Sequence, residues 1–233
     1  MSLIPLYEWL PEASKPQQLF ILLHGEDAGP EEMTGLAAAL RLAFPDSVIL
    51  APASGQVGPD ISKGYEWFAA DDLAAEHADV GLAPIMDDLL RFIAQAQARF
   101  DLSPGQTALA GFSQGAIMAL EAVMAEEQVA GRVMAFSGRF LTLPLRAPQT
   151  CTVHLLHGQD DGVIPVAHAQ AAHVRLGTLL GDSTIDVASR VGHELHPALV
   201  ARAIVRLQTC VPLHSWQEVL GVEQGAPQGV TLH

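Results

Sequence analysis

Short apolar runs alternate with longer amphipathic segments along most of this chain. Runs that are apolar on both faces, such as Leu19 to Leu23, are typical of strands buried inside a parallel sheet. Between such runs apolar residues recur at helical spacing, most clearly from Val80 to Phe100. The alternation of strand and helix predicts an α/β fold with a doubly wound, mostly parallel sheet and helices on both faces.

The predicted elements follow one another with short connections. Strands are expected over residues 3–9 (an edge strand), 19–23, 48–51, 107–111, 132–136, 152–156 and 184–188. Helices are expected over residues 31–43, 80–100, from just after Gly115 to 126, and over 166–177 and 197–210. Residues 52–78 form a loop without clear periodicity, and residues 214–233 are expected to form a tail after one domain of residues 1–213.

Residues 111–115, with the sequence GFSQG, lie between a predicted buried strand and a predicted helix. A turn this sharp holds its apex residue in unfavourable φ/ψ and leaves room only for glycine two positions before and after. Gly111 and Gly115 meet that need, so Ser113 is placed where a nucleophile would stand. The alternative is a serine that caps a helix between two packing glycines.

A serine nucleophile needs an imidazole base, and reactive residues of open α/β sheets follow the carboxyl ends of strands. His193, in the loop after the last predicted strand, is the preferred base. His196 precedes Pro197 and is better explained as a helix cap, and a metal site built from both histidines is a weaker interpretation. Six other histidines are interpreted as surface or structural residues: His77, His154, His168, His173, His214 and His233.

The loop after the strand at 152–156 offers two carboxylates, Asp160 and Asp161. Asp161 is preferred as the acid that orients the base, with Gly162 allowing close backbone approach, while Asp160 is expected to cap the local turn. The resulting chain order of Ser113, Asp161 and His193 is that of the α/β hydrolases.

A transition-state oxyanion needs fixed N–H donors. The backbone N–H of Gln114 is one candidate, and the backbone N–H of Glu26, in the loop after the strand at 19–23, is the second. Gly25 lets that loop approach, and His24 is expected to orient it by hydrogen bonding.

Composition narrows the function classes. The 233 residues carry 12 Lys and Arg against 26 Asp and Glu, a net charge of −14, so nucleic acid is not expected as a partner. No apolar run approaches the roughly 20 residues of a membrane span, and the N-terminus lacks the pattern of a secretory signal. Cys151 and Cys210 form no C-x-x-C motif and are expected to be reduced thiols in a cytoplasmic protein.

Four segments resemble the phospholipase/carboxylesterase family of α/β hydrolases: 22–25 (LLHG), 111–115 (GFSQG), 157–165 (HGQDDGVIP) and 192–194 (GHE). The resemblance spans about residues 17 to 210. It implies a triad of Ser113, Asp161 and His193, an oxyanion hole from the N–H groups of Glu26 and Gln114, and no obligatory cofactor or metal. The family often has an apolar residue where this chain has Glu26. Because an acidic side chain would lie beside the acyl pocket, substrates with small or medium acyl groups are expected.

Trp67, Phe68 and Met118 are candidates for lining an acyl groove, with packing in the core as the alternative. Arg139 is interpreted as a surface residue. The predicted function is hydrolysis of small-molecule carboxylic esters through an acyl-enzyme. Thioesterase or lysophospholipase activity at the same site and a non-catalytic ligand-binding member of the fold are the alternatives.

Overall fold

The alternation of strands and helices is present in the computed structural model, which describes residues 3, 5–12, 14–54, 56–57, 64–69 and 78–210. The strands are β1 (Pro5–Trp9), β2 (Gln18–Leu23), β3 (Ser47–Pro52), β4 (Gln56–Val57), β5 (Tyr65–Glu66), β6 (Thr107–Phe112), β7 (Arg132–Phe136), β8 (Thr152–Gly158) and β9 (Ser183–Ala188). The α-helices are α1 (Thr34–Ala43), α2 (Ala78–Phe100), α3 (Gln114–Ala125), α4 (Ala167–Thr178) and α5 (Pro197–Thr209), and 3₁₀ turns cover Pro30–Met33 and Pro104–Gln106.

Seven of the described strands form one sheet in the order β1-β3-β2-β6-β7-β8-β9. All neighbours in this sheet run parallel except β1, which pairs antiparallel with β3 at the edge, as predicted for residues 3–9. The central strands β3, β6 and β8 are buried along their whole length, because helices cover both faces. The carboxyl ends of the parallel strands therefore meet at one edge of the sheet.

Two apolar clusters form the core, one on each face of the sheet. Successive side chains of β2 point to opposite faces, so Leu19 and Ile21 join one cluster while Phe20 and Leu22 join the other. The first cluster packs α2, α3 and α4 against the sheet, and the second packs α1 and α5. This arrangement confirms the doubly wound α/β fold.

Two predicted helices and one predicted loop differ from the structure as follows. The helix expected from residue 31 begins as a 3₁₀ turn at Pro30–Met33 and becomes α-helical only at Thr34. The helix expected after Gly115 begins at Gln114, directly after the sharp turn. The loop predicted over residues 52–78 contains a short antiparallel pair of strands, β4 with β5, in which Gln56 pairs with Glu66 and Val57 with Tyr65.

Several predictions concern residues outside the described ranges. They are the tail at 214–233 and the positions of His77, His214 and His233. Among the helices described, none is both long and apolar enough to cross a membrane.

Candidate active site

The turn around Ser113 joins β6 to α3 under severe steric constraint. Ser113 has φ 53° and ψ −115°, a conformation that L-residues rarely adopt. A Cβ atom on Gly111 would lie 2.1 Å from the Gly115 carbonyl oxygen, and one on Gly115 would lie 2.1 Å from the Leu23 carbonyl oxygen. Only glycine fits either position, because the turn packs against itself and against the end of β2.

Ser113 occupies the N-cap position of α3, yet its hydroxyl makes no capping hydrogen bond. Its main-chain carbonyl instead accepts from the N–H groups of Ala116 and Ile117, at 3.0 Å and 3.1 Å. The hydroxyl remains available for a partner outside the helix. The capping alternative therefore does not account for Ser113.

His193 lies between Ser113 and Asp161, although the three residues come from separate loops. The Nε2 atom of His193 is 3.0 Å from Ser113 Oγ, and its Nδ1 atom is 2.9 Å from Asp161 Oδ2. The carboxylate can only accept, so Nδ1 carries the proton and Nε2 is free to accept from the serine hydroxyl. This arrangement can pass a proton from Ser113 to His193.

Asp161 is held by three hydrogen bonds. Its Oδ1 atom accepts from the N–H groups of Val163 and Ile164, both at 2.9 Å, while Oδ2 accepts from His193. Burial opposes ionisation, but the hydrogen bonds from His193 and the two N–H groups outweigh it and lower the pKa of Asp161. Asp161 is therefore a fixed carboxylate beside the imidazole.

The neighbouring Asp160 is exposed, and its side chain makes no hydrogen bond with the described residues. The prediction that Asp160 caps the local turn is wrong, since the Oδ1 atom of Asp161 accepts the turn N–H groups of Val163 and Ile164. The expected role of Gly162 is also wrong, because a Cβ atom there would meet nothing within 4 Å. Close approach is needed at Gly158 instead, where a Cβ atom would lie 2.4 Å from the Val191 carbonyl oxygen.

His157, the last residue but one of β8, also lies beside the Asp161 carboxylate. Its Nε2–H donates to the Ile164 carbonyl at 2.7 Å and lies 3.3 Å from Asp161 Oδ2. Burial lowers the pKa of His157, which favours its neutral form. No site role was predicted for His157, although a histidine near the end of a buried strand, four residues before Asp161, is a usable signal.

The loop after β2 is shaped by His24, as predicted. His24 Nδ1–H donates to the Gly25 carbonyl at 2.7 Å, and His24 Nε2 accepts from Ser54 N–H at 3.1 Å. Burial lowers the pKa of His24, so both bonds involve a neutral ring. Glu26 follows in the same loop with an exposed side chain.

The residues expected to line an acyl groove are buried. Trp67 and Met118 are 0% exposed and Phe68 is 1% exposed, and all three belong to the core cluster under α2, α3 and α4. This burial favours the core-packing alternative over an acyl groove. The guanidinium of Arg139, interpreted as a surface group, donates to the carbonyls of Phe140 and Leu141 and is half-buried.

Two further histidines and both cysteines have structural surroundings. His196 caps α5 by accepting from Ala198 N–H at 3.1 Å, as predicted. His154 is buried inside β8 and bonds Thr184 through Nδ1 at 2.9 Å. Cys151 is buried and Cys210 half-buried, and both are free thiols.

The sheet order, the turn at Ser113 and the loops that carry Asp161 and His193 define an α/β hydrolase. The sequence model of the phospholipase/carboxylesterase family matches residues 9–211, and the chain belongs to that family and is a hydrolase. Esterase YpfH of Escherichia coli strain K12 is 33% identical over 204 residues, which cover 88% of each chain.

Solved structures agree with this assignment. Esterase PE8 superposes with a TM-score of 0.81 at 28% identity, covering 91% of this chain and 100% of that one. The Bacillus cereus carboxylesterase superposes with a TM-score of 0.74 over 88% of this chain and 93% of that one. At 16% identity the second similarity supports the fold alone.

Proposed function

We propose that this hydrolase is a serine carboxylesterase that acts on small-molecule esters through an acyl-enzyme. The observation that carries the proposal is the chain of two hydrogen bonds from Ser113 Oγ through His193 to Asp161, at 3.0 Å and 2.9 Å. A serine hydroxyl alone is a poor nucleophile near neutral pH, and this chain supplies the base that activates it.

In the proposed first step, Ser113 Oγ attacks the acyl carbon while its proton moves to His193 Nε2. Asp161 holds the imidazole in the tautomer that can accept this proton and stabilises the imidazolium that forms. His193 then protonates the leaving alcohol as the bond between the acyl carbon and the alkoxy oxygen breaks. In the second step water loses a proton to His193 and attacks the acyl carbon. The bond between the acyl carbon and Ser113 Oγ then breaks, His193 returns the proton to Ser113 Oγ, and the carboxylic acid leaves.

The negative charge on the acyl oxygen would be stabilised by the N–H groups of Glu26 and Gln114. Gln114 is the first residue of α3, so its N–H has no acceptor within the helix. Gly115 packs against the carbonyls of Leu23 and His24, which brings the loop that contains Glu26 next to the start of α3. Two donors on adjoining segments are the arrangement that an oxyanion requires.

The proposed substrates are esters of carboxylic acids. The name of the relative YpfH describes an esterase. The exposed Glu26 side chain beside the proposed oxyanion loop favours esters of small or medium acyl groups over long apolar chains. Thioesters can react through the same acyl-enzyme, because the attack of Ser113 on the acyl carbon does not depend on the leaving atom.

The test is hydrolysis of p-nitrophenyl acetate combined with labelling by a fluorophosphonate. The wild-type protein should turn over the ester and label at Ser113, and Ser113→Ala should lose both while keeping its circular dichroism spectrum. A non-catalytic ligand-binding protein would neither label nor hydrolyse. Turnover retained by Ser113→Ala would remove Ser113 as the nucleophile.

A further inference from the structure

The peptide group between His24 and Gly25 is held from two sides, by one side chain seven residues further along the chain and one more than forty residues away. Its carbonyl accepts from the indole Nε1–H of Trp67 at 2.9 Å, and its N–H donates to Glu32 Oε2 at 2.7 Å. Trp67 is fully buried and the Glu32 residue is half-buried. Both the carbonyl and the N–H of this peptide group are therefore fixed in place.

The next peptide group carries the N–H of Glu26, the second proposed oxyanion donor. Its carbonyl, that of Gly25, accepts from His24 Nδ1–H at 2.7 Å. The C=O and N–H of a trans peptide point in opposite directions. The Glu26 N–H is therefore directed away from the His24 ring, in an orientation set by the bonds around Gly25.

Trp67 also connects this loop to the start of α3. Its main-chain N–H donates to Gln114 Oε1 at 3.0 Å, and Gln114 Nε2 donates to the Phe68 carbonyl at 3.1 Å. The side chain of Gln114 thus binds the segment 67–68, while the main-chain N–H of the same residue is the first proposed oxyanion donor. One hydrogen-bond network joins the two donors.

Glu32 and the aromatic ring of Phe112 enclose Gly25. A Cβ atom on Gly25 would lie 3.2 Å from Glu32 Oε2 and 3.2 Å from Phe112 Cδ1. The Phe112 ring in turn packs on His193, with centroids 5.0 Å apart. Burial raises the pKa of Glu32, while the Gly25 N–H and the nearby His193 act in the opposite direction and the neighbouring Glu31 raises it further.

We propose that Glu32 and Trp67 are positioning residues of the oxyanion hole, which hold the His24–Gly25 peptide so that the Glu26 N–H faces the developing oxyanion. This inference rests on the proposed esterase function. Trp67 then serves the reaction from within the core, where its indole holds a backbone carbonyl. Neither residue needs to touch the substrate.

The first test compares Glu32→Ala, Glu32→Gln and the control Glu31→Ala on p-nitrophenyl butyrate. Glu31 is exposed in the same 3₁₀ turn, so its replacement removes a carboxylate without touching the Gly25 N–H. Glu32→Ala should lower kcat by about 10- to 100-fold with little change in KM, since a displaced oxyanion donor acts in the transition state. Glu32→Gln retains an acceptor and should stay within about threefold of wild type, as should Glu31→Ala.

The second test measures inhibition by phenylboronic acid, whose tetrahedral adduct on serine places an oxygen in the oxyanion hole. The inhibition constant should weaken for Glu32→Ala in proportion to the loss in kcat/KM, because transition-state analogues report the same interactions. Trp67→Phe keeps an aromatic side chain but removes the indole N–H, and should show the same parallel loss. Melting temperatures of all variants separate this effect from unfolding.

Equal kcat and equal boronate affinity in Glu32→Ala, Trp67→Phe, Glu31→Ala and wild type would overturn the inference. A loss confined to KM would also overturn it, since positioning of an oxyanion donor acts on kcat. If the wild-type protein itself shows no turnover and no boronate binding, the esterase function fails instead. The two failures are therefore distinct.

Discussion

The Oδ2 atom of Asp161 lies 2.9 Å from Nδ1 of His193, with the aspartate side chain 0% exposed and the imidazole 17% exposed. A carboxylate shielded from water interacts strongly with its partner, and an imidazole at the edge of solvent can reach both serine and an incoming water. The loop between β8 and α4 provides this carboxylate at residue 161, one position beyond the exposed Asp160.

Exchanging each of these two carboxylates for an amide tests the assignment of the acid. Asp161→Asn should lower kcat by about 10⁴-fold, because the amide can donate to Nδ1 and favour the wrong tautomer of His193. Asp160→Asn is the matched control, and its kcat should stay within about twofold of wild type, since substitutions of exposed residues usually change stability by less than about 0.5 kcal/mol. Steady-state rates on p-nitrophenyl acetate decide the point, and the reverse ranking would move the acid by one residue.

His157 is expected to support the acid through the Ile164 carbonyl rather than to exchange protons. His157→Gln can place an amide N–H where the imidazole Nε2–H stood, so its kcat should stay within about threefold of wild type. His157→Leu leaves the carbonyl of the half-buried Ile164 without its donor and should cost about 1–3 kcal/mol of stability. Urea unfolding and steady-state kinetics measure both effects, and a fully stable and active His157→Leu would contradict this role.

Gly115 should not tolerate even a methyl group. A Cβ atom there would lie 2.1 Å from the Leu23 carbonyl oxygen, so Gly115→Ala forces the turn around Ser113 away from the end of β2. We expect a loss of more than about 3 kcal/mol in the free energy of unfolding, beyond the usual range for single substitutions. Gly35→Ala in α1 is the control: nothing lies within 4 Å of its added Cβ, and it should stabilise the helix by up to about 1 kcal/mol.

The stability of the protein should fall in mild acid because of His154. Burial lowers the pKa of His154 from 6.5 to about 4, so between these values the unfolded chain binds a proton that the folded protein does not. The free energy of unfolding therefore decreases as pH falls from 6.5 to 4, by up to about 3 kcal/mol.

The variant His154→Asn isolates this contribution. Asparagine can keep a hydrogen bond to Thr184 but does not titrate, so its stability should change less than that of wild type between pH 7 and pH 4.5. Urea unfolding at both pH values provides the comparison. An equal loss in both proteins would assign the acid sensitivity to other groups, of which His24 and His157 also have pKa values lowered by burial.

The sequence by itself determined the fold class, the turn at Ser113 and the order along the chain of the three residues proposed as nucleophile, acid and base. These features depend on local rules: apolar periodicity selects strand or helix, and the sterics of a sharp turn demand glycine on each side. The loops that follow β6, β8 and β9 come together because parallel strands end at the same sheet edge.

Only the tertiary structure decided what surrounds these residues. Trp67 was a candidate groove residue, yet it is buried and bonded to Gln114, which lies 47 positions further along the chain. Glu32 has no local sequence pattern that marks it as a partner of Gly25. Asp161, and not Asp160, accepts the turn N–H groups, although the two carboxylates are adjacent in the sequence. The contacts of Trp67 with Gln114 and of Asp161 with His193 join segments far apart in the chain, and local periodicity carries no information about which distant hydrogen bonds the packed core will satisfy.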